Sequence, residues 1–115
     1  MSKAVGPYTP IVRAGDWLIV SGQLGLREGM LPHGVTAQTR QAIENVAAHL
    51  ASQGAALIDV AKTLCFLTDM GEFATCKDAY IEGFGDHRPA RSTIGVAALP
   101  ASGEVEIEAG AYKPA

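Results

Sequence analysis

The chain has little of what marks a nucleic-acid-binding or membrane protein. Lys and Arg together number 9 against 12 Asp and Glu, which gives a formal net charge of −3. No basic run with interleaved aromatic residues occurs, and a phosphate backbone requires an electropositive surface, so nucleic-acid binding is disfavoured. No segment approaches the roughly 20 consecutive apolar residues that a bilayer-spanning helix needs.

Cysteine is scarce as well, with only Cys65 and Cys76 in the chain. One lies in a strand-like run and the other in a helix-like run, and disulfides are rare inside cells, so we expect free thiols rather than a bond between them. The first residues, Met1-Ser2-Lys3, lead into a turn without the apolar segment of a signal peptide. We therefore expect a cytoplasmic protein.

The usual signatures of metal, nucleotide and nucleophile sites are missing. His33, His49 and His87 are widely separated, and none falls in a pattern such as H-x-x-x-H. The segment Gly22-Gln23-Leu24-Gly25 lacks the Lys and the following helix of a phosphate-binding loop. Ser21 has neither a His at motif spacing nor a G-x-S-x-G elbow around it. We predict no metal, no nucleotide and no cofactor.

The regular structure that is present fits one α+β domain over residues 1–115. The periodicity of apolar residues predicts strands at 17–20, 62–68, 91–96 and 104–112, and helices from Thr36 to about Gln53 and from Asp69 to about 84. The segment 27–34 favours a hairpin or a loop.

Connections between these elements predict the sheet. Each strand–helix–strand unit implies a parallel pair, and the short Pro-Ala-Ser-Gly turn before the last strand implies an antiparallel pair. A mixed sheet with both helices packed on one face follows. Strands 17–20 and 63–67 are apolar on both sides, and two helices cannot cover both faces. We therefore expect the second face to pack against another copy of the chain.

Two short stretches carry the candidate chemistry, one around Arg91 and one around Glu106. An arginine grips a carboxylate with two parallel hydrogen bonds, and a nearby glutamate can position or activate a water. If both faced one cleft, they would suit a small carboxylate-bearing molecule. The alternatives are a structural salt bridge between Arg91 and Glu106, and a solvated strand face made by Glu104, Glu106 and Glu108.

Two further segments have both a structural and a functional interpretation. Tyr8, after Gly6-Pro7, offers a hydroxyl but also fits a packing residue at a rigid entry to the first strand. Ser21-Gly22-Gln23 is typical of a bulge or turn at the end of a strand. Gly22 would also let a ligand approach the backbone closely.

These segments together resemble the RidA family, also called YjgF or L-PSP. The resemblance rests on Gly6-Pro7-Tyr8, Val20-Ser21-Gly22-Gln23, Arg88-Pro89-Ala90-Arg91-Ser92 and Val105-Glu106-Ile107-Glu108-Ala109, in the family's order. It implies a chorismate-mutase-like fold and a barrel-like homotrimer with clefts between subunits. It also implies hydrolysis of reactive 2-enamine and 2-imino acids, such as 2-aminoacrylate, 2-iminopropanoate or 2-iminobutanoate, to 2-oxo acids and ammonia.

The resemblance assigns roles to individual residues. Arg91 matches the carboxylate-binding arginine, Glu106 the glutamate that holds the attacking water, and Tyr8 and Ser21 the residues that orient substrate or water. Gly22 and Thr93 are expected to border the substrate. Members of the family often carry a cysteine where Thr93 stands, and a hydroxyl is not a thiolate, so this position bears on substrate preference.

Two other functions stay open. The same cleft could belong to a non-catalytic module that binds a 2-oxo acid or an amino acid and acts on a partner protein, since only Glu106 is specifically catalytic. A ribonuclease activity is attached to the family's name, but the acidic charge and the lack of a basic groove disfavour it.

Overall fold

Five strands of the chain form one mixed sheet, and two α-helices pack on one of its faces. The computed structural model describes residues 6–115; residues 1–5, where the sequence predicts no signal segment, lie outside the described part. In chain order the elements are β1 (Ile11–Ala14), β2 (Trp17–Leu24), α1 (Val35–Ala51), β3 (Val60–Leu67), α2 (Phe73–Phe84), β4 (Ala90–Gly95) and β5 (Val105–Tyr112). The predicted α+β class, with a mixed sheet and two helices, is confirmed.

The order of strands in the sheet is β1-β2-β5-β3-β4. The β3–α2–β4 unit is parallel, as predicted, and the other neighbouring pairs are antiparallel. Two predicted pairings are wrong, the parallel pair implied by the β2–α1–β3 unit and the antiparallel pair of the last two strands, because β5 lies between β2 and β3. The crossover through α2 places β4 on one edge of β3, and β5 fills the gap between the other edge of β3 and β2.

The first hairpin was not predicted. β1 and β2 are joined by the two residues Gly15 and Asp16, and Ala14 faces Trp17 across the turn. Gly15 adopts a φ of 61°, which a glycine reaches without steric cost. The segment 27–34 is a loop that contains one isolated bridge, between Arg27 and Met30.

Both helices begin differently from the prediction. Helix α1 starts after Gly34, one residue before the predicted start at Thr36, and no side chain caps it. Thr36 lies inside the first turn. Asp69 does act as a cap, accepting a hydrogen bond of 2.8 Å from the backbone of Gly71, but it caps a short 3₁₀ turn that precedes α2.

The core lies between the helices and one face of the sheet. Side chains of β5 alternate as predicted, with Val105, Ile107, Ala109 and Ala111 all buried. The α1 stripe packs against them through Ile43, Val46 and Leu50. Fully burying an aliphatic side chain contributes about 1.5–3 kcal/mol, so this interface supplies much of the stability of the fold.

The opposite face of the sheet carries apolar side chains that no helix of the chain covers. We call it the open face, and it is formed by Trp17, Ile19, Leu64, Phe66 and Ile94. Ile19 is 52% exposed and Trp17 45% exposed in the single chain. The predicted division of β2 and β3 into one covered apolar side and one uncovered apolar side is therefore confirmed. Neither helix described for residues 6–115 has the length and hydropathy to cross a bilayer.

Candidate active site

An irregularity in β2 shapes the candidate site. Val20 pairs with Ala109 and Gln23 with Ile107, so the register shifts across Ser21 and Gly22. The bulge that the sequence predicts here is confirmed. The side-chain amide of Gln23 donates a 3.0 Å hydrogen bond to the carbonyl of Ser21, which satisfies a backbone group that the bulge removes from the ladder.

Ser21 ties the bulge to the segment that precedes β1. Its hydroxyl donates a hydrogen bond of 2.7 Å to the carbonyl of Thr9, and its backbone N–H donates to the carbonyl of Pro10 at 2.9 Å. These bonds fix the chain directly after Tyr8. Because the hydroxyl proton of Ser21 is engaged in the hydrogen bond to Thr9, this hydroxyl would contact a ligand chiefly as an acceptor.

Gly22 makes room for the carboxylate of Glu106. A Cβ atom at position 22 would lie 2.5 Å from Oε1 of Glu106 and 2.8 Å from its Cδ. Any side chain there would displace that carboxylate. The sequence predicts a close approach to Gly22 by a ligand; in the structure the group that approaches is the protein's own glutamate.

A cavity of about 450 Å³ opens beside this carboxylate. It is lined by Gly6, Pro7, Tyr8, Ser21, Gly22, Gln23, Leu24, Leu26, Pro100 and Glu106. Four of the predicted site residues, Tyr8, Ser21, Gly22 and Glu106, thus lie around one cavity. Its remaining wall is mostly apolar, which the sequence analysis did not foresee because Leu24, Leu26 and Pro100 carry no chemical signature.

The environment of Glu106 favours the protonated form of its carboxyl group. Burial, and next to it the negative charge of Glu108, raise the pKa of Glu106 above its ordinary value. A raised pKa brings a glutamate closer to the range in which a general base works at neutral pH. The interpretation of three solvated glutamates holds only for Glu108, which is exposed; Glu104 accepts a hydrogen bond of 3.1 Å from the buried Gln38 of α1.

Arg91 lies elsewhere, on the face of the sheet that the helices cover. It pairs with the buried Thr63 of β3, and its guanidinium carbon lies 4.9 Å from the centre of the Tyr80 ring and 5.5 Å from that of Phe73. Thr93 shares this face and pairs with Cys65. β4 is an edge strand, so this side of Arg91 is only partly covered.

Arg91 and Glu106 therefore do not face one cleft within a single chain. Glu106 pairs with Phe66 of the open face, whereas Arg91 pairs with Thr63 on the helix-covered face, and the sheet separates them. The alternative of an Arg91–Glu106 salt bridge within the chain is wrong for the same reason. The sequence did not assign Arg91 to a face, because alternation along a strand gives two faces without showing which of them the helices cover.

The two cysteines are buried thiols and not disulfide-bonded, as predicted. Burial, with a further contribution from Cys76, raises the pKa of Cys65 to about 11. At neutral pH that thiol is protonated, so it does not replace the thiolate that Thr93 lacks. Among residues 6–115 no three His, Cys, Asp or Glu side chains are grouped to hold a metal ion.

Tyr80 and Phe73 are functional candidates that the sequence analysis did not single out. Both belong to the apolar stripe of α2, and the i, i+7 spacing that places them on one face of that helix was visible. Because α2 connects β3 to its parallel neighbour β4, this face of α2 lies against the side of the sheet that carries Arg91. Following that connection in the sequence would have identified Tyr80 and Phe73.

Comparison with known proteins gives a consistent result over nearly the whole chain. Residues 1–113 match the family described as Endoribonuclease L-PSP. A RutC family protein of Pyrococcus horikoshii is 40% identical over 114 residues, which cover 96% of this chain and 90% of the relative. The 2-iminobutanoate/2-iminopropanoate deaminase of Escherichia coli K12 is 40% identical over 111 residues, which cover 92% and 87%.

Solved structures resemble the fold closely. TdcF of E. coli, determined with bound serine, superimposes with a TM-score of 0.91 at 36% identity and covers 96% of this chain and 91% of its own. The YjgF gene product of E. coli gives a TM-score of 0.90 at 39% identity, with coverage of 95% and 90%. The similarity extends through every element described above.

Proposed function

The chain belongs to the Endoribonuclease L-PSP family, also called YjgF or RidA, and from this premise we propose that it is a cofactor-independent deaminase of 2-imino acids. The reaction is hydrolysis of the C=N bond of 2-enamine and 2-imino acids, such as 2-iminopropanoate and 2-iminobutanoate, to 2-oxo acids and ammonia. Relatives about 40% identical carry the name of this activity. The observation that carries the proposal is the cavity that gathers Glu106 with Tyr8 and Ser21.

The site we propose is completed by a second copy of the chain. Arg91 cannot reach the Glu106 cavity of its own chain because the sheet lies between them. The open face exposes Ile19, Trp17 and Ile94, which a neighbouring copy would cover. A cytoplasmic homotrimer with clefts between subunits would meet both requirements, with Arg91 supplied by one subunit and Glu106 by the next.

Arg91 would bind the substrate in this cleft. Its guanidinium would hold the carboxylate through two parallel charge-assisted hydrogen bonds, which contribute roughly 1.5–3 kcal/mol. Thr93, two residues on along the same face, would contact the substrate near its carboxylate with a hydroxyl in place of the family's frequent thiol. Gly22 would border the substrate on the opposite side of the cleft.

Glu106 would carry out the proton transfers. As a water adds to the carbon of the protonated imine, the carboxylate accepts one proton from it. The resulting carbinolamine takes that proton back from Glu106 on nitrogen. As the C–N bond breaks and the C=O bond of the 2-oxo acid forms, the carboxylate accepts the hydroxyl proton and passes it to the departing ammonia. The balance is one iminium and one water consumed, with one 2-oxo acid and one ammonium ion produced. Tyr8 and Ser21 would orient substrate and water by hydrogen bonds.

The test is a coupled assay in which an amino-acid oxidase generates imino acids, semicarbazide traps them, and the loss of semicarbazone reports hydrolysis. Arg91→Ala should abolish the wild-type acceleration. Arg88→Ala is the matched control, because Arg88 donates to the backbone carbonyls of Gly85 and His87 in the adjacent loop. Wild-type turnover by Arg91→Ala would refute the role of this arginine.

A second candidate is a module that binds an amino acid or a 2-oxo acid without converting it. It is favoured by the bound serine in the similar structure of TdcF. Glu106→Gln separates the two functions, since it should remove hydrolysis and leave ligand binding intact. Ligand binding by a wild-type protein that hydrolyses no imine across a broad panel would favour the module. Ribonuclease action, named in the family description, is disfavoured by the net charge of −3.

A further inference from the structure

The guanidinium of Arg91 is held by aromatic rings. Its central carbon lies 4.9 Å from the ring centre of Tyr80 and 5.5 Å from that of Phe73, both within the range of a cation–π contact. Arginine stacks on aromatic rings because its guanidinium is planar and only weakly hydrated. The two rings come from residues two turns apart on α2, and Tyr80 contacts both β3 and β4.

No acid holds this arginine among residues 6–115. The two ion pairs in that part of the chain join Arg40 to Glu82 and Lys113 to Asp59. No side-chain hydrogen bond of Arg91 to the described residues occurs either. An acidic partner would occupy the N–H donors that a ligand needs, whereas an aromatic ring contacts the face of the guanidinium and leaves its N–H edge available.

The Tyr80 ring is itself fixed. Its hydroxyl shares a hydrogen bond of 2.7 Å with the hydroxyl of Thr63, and the residue is only 4% exposed. Its ring also packs against Phe84 at a centroid distance of 4.7 Å. Thr63 stands beside Arg91 in the sheet, so one strand pair carries both the cation and the anchor of the ring that supports it.

We propose that Tyr80, assisted by Phe73, is a positioning residue that holds Arg91 by its face and aims its N–H edge at the carboxylate of the ligand. The inference rests on the proposed function for the identity of that ligand, a 2-imino or 2-oxo acid. The hydroxyl of Tyr80 serves only to fix the ring through Thr63. The ring, rather than the hydroxyl, is what Arg91 requires.

Four variants separate these roles. Tyr80→Leu removes the ring. The double variant Tyr80→Phe with Thr63→Val keeps the ring and removes both hydroxyls, so that neither is left buried without a partner. Phe84→Leu is the matched control, because it removes a neighbouring aromatic ring of α2 while the Thr63 hydrogen bond still fixes Tyr80. Arg91→Ala defines the loss expected when carboxylate binding is absent.

Binding of 2-oxobutanoate, measured by calorimetry, provides the first readout. We expect Tyr80→Leu to weaken binding about tenfold, while Phe84→Leu and the double variant stay within about twofold of wild type. In the hydrolysis assay Tyr80→Leu should raise KM and leave kcat nearly unchanged, since a carboxylate is gripped equally in the ground and transition states. The Nε–H signal of Arg91 in NMR spectra should lose its ring-current shift in Tyr80→Leu and keep it in the double variant.

If the wild type binds 2-oxobutanoate and Tyr80→Leu binds it with the same affinity, the inference is overturned and the proposed function stands. An equal loss in Phe84→Leu would also overturn it, because the effect would then be one of general packing. A wild-type protein that neither binds 2-oxobutanoate nor hydrolyses imines would refute the proposed function together with the ligand role of Tyr80.

Discussion

Arg91 and Glu106 stand on opposite faces of one sheet, and the protein holds them by different means. Arg91 lies on an edge strand against two aromatic rings of α2, within reach of the core. Glu106 lies on the central strand β5, and its carboxylate occupies the space that a side chain at Gly22 in the bulge of β2 would fill. One group is positioned by packing and the other by backbone geometry. A cation and a base kept apart in this way cannot neutralise each other within one chain.

Mixing two inactive variants tests whether the two halves meet between subunits. Co-expressed Arg91→Ala and Glu106→Gln chains should form hetero-oligomers in which about a quarter of the clefts combine an intact arginine with an intact glutamate. We expect about a quarter of wild-type activity from two chains that are inactive alone. The control is Arg91→Ala mixed with a chain that carries both Arg91→Ala and Glu106→Gln, and this mixture should stay inactive. No recovery in tagged, purified hetero-oligomers would place the site within one chain.

A charge on the open face should disrupt the proposed assembly of two or more chains. Ile19→Lys places an unpaired ammonium where a neighbouring copy would pack, and we expect about 3 kcal/mol weaker association, roughly a hundredfold. Light scattering coupled to gel filtration would detect the smaller species, and activity should fall on dilution. Ile58→Lys is the control, because Ile58 is 69% exposed but lies in the turn before β3. Equal effects of both changes would argue against an interface on this face.

Two glycines near the end of β2 should separate function from stability. At Gly25 a Cβ would lie 2.5 Å from the backbone oxygen and 2.7 Å from the Cα of Gln38 in α1, and a helix backbone cannot yield locally. We expect Gly25→Ala to lower the free energy of unfolding by about 3 kcal/mol in urea titrations.

Gly22→Ala should behave in the opposite way. The atoms that its Cβ would meet belong to the flexible end of Glu106. We expect a stability loss below about 1 kcal/mol and a fall in kcat/KM of at least about tenfold. A folded, fully active Gly22→Ala enzyme would show that the carboxylate does not need the position seen here.

The smallest expected effect concerns pH. The charge of Glu108 contributes to the raised pKa of Glu106. A neighbouring negative charge favours the protonated carboxyl, so removing it in Glu108→Gln lowers the pKa of Glu106. The acid limb of the kcat/KM profile should then move to lower pH. Glu44→Gln, on the exposed side of α1, should leave the limb in place. A shift to higher pH would contradict the assignment of Glu106 as the base.

Most elements of this fold follow from local patterns in the sequence, whereas their neighbours do not. The alternation of Val105 and Ile107 with Glu106 identified β5 and its buried side, because a period of two is a property of the strand itself. Placing β5 beside β4 failed, because a short connection constrains where a strand starts and not which edges are vacant. Gly15-Asp16 is a hairpin signal that can be read in the sequence. The strand before it, β1, has only four residues, so its apolar pattern was too short to predict a strand.

The candidate site divides in the same way. The resemblance to the RidA family identified four site residues, Arg91, Glu106, Tyr8 and Ser21. The structure places the last three around one cavity. The separation of Arg91 from Glu106 depends on the position of β5 in the sheet and on which face of β4 the helices cover, and contacts distant in sequence determine both. The support of Arg91 by Tyr80 was hidden for another reason, since an aromatic residue in a helical stripe is ordinarily a core residue.

The central position of β5 also determines when the molecule can fold. β1 and β2 touch β3 only through β5, so the two halves of the sheet remain unconnected until the last strand of the chain has been made. The helices and the β3–α2–β4 unit have local contacts and can form early, whereas joining β2 to β3 closes long loops at an entropic cost. Synthesis of this protein therefore passes through a stage in which β2 and β3 expose open edges, and completion of β5 removes both at once.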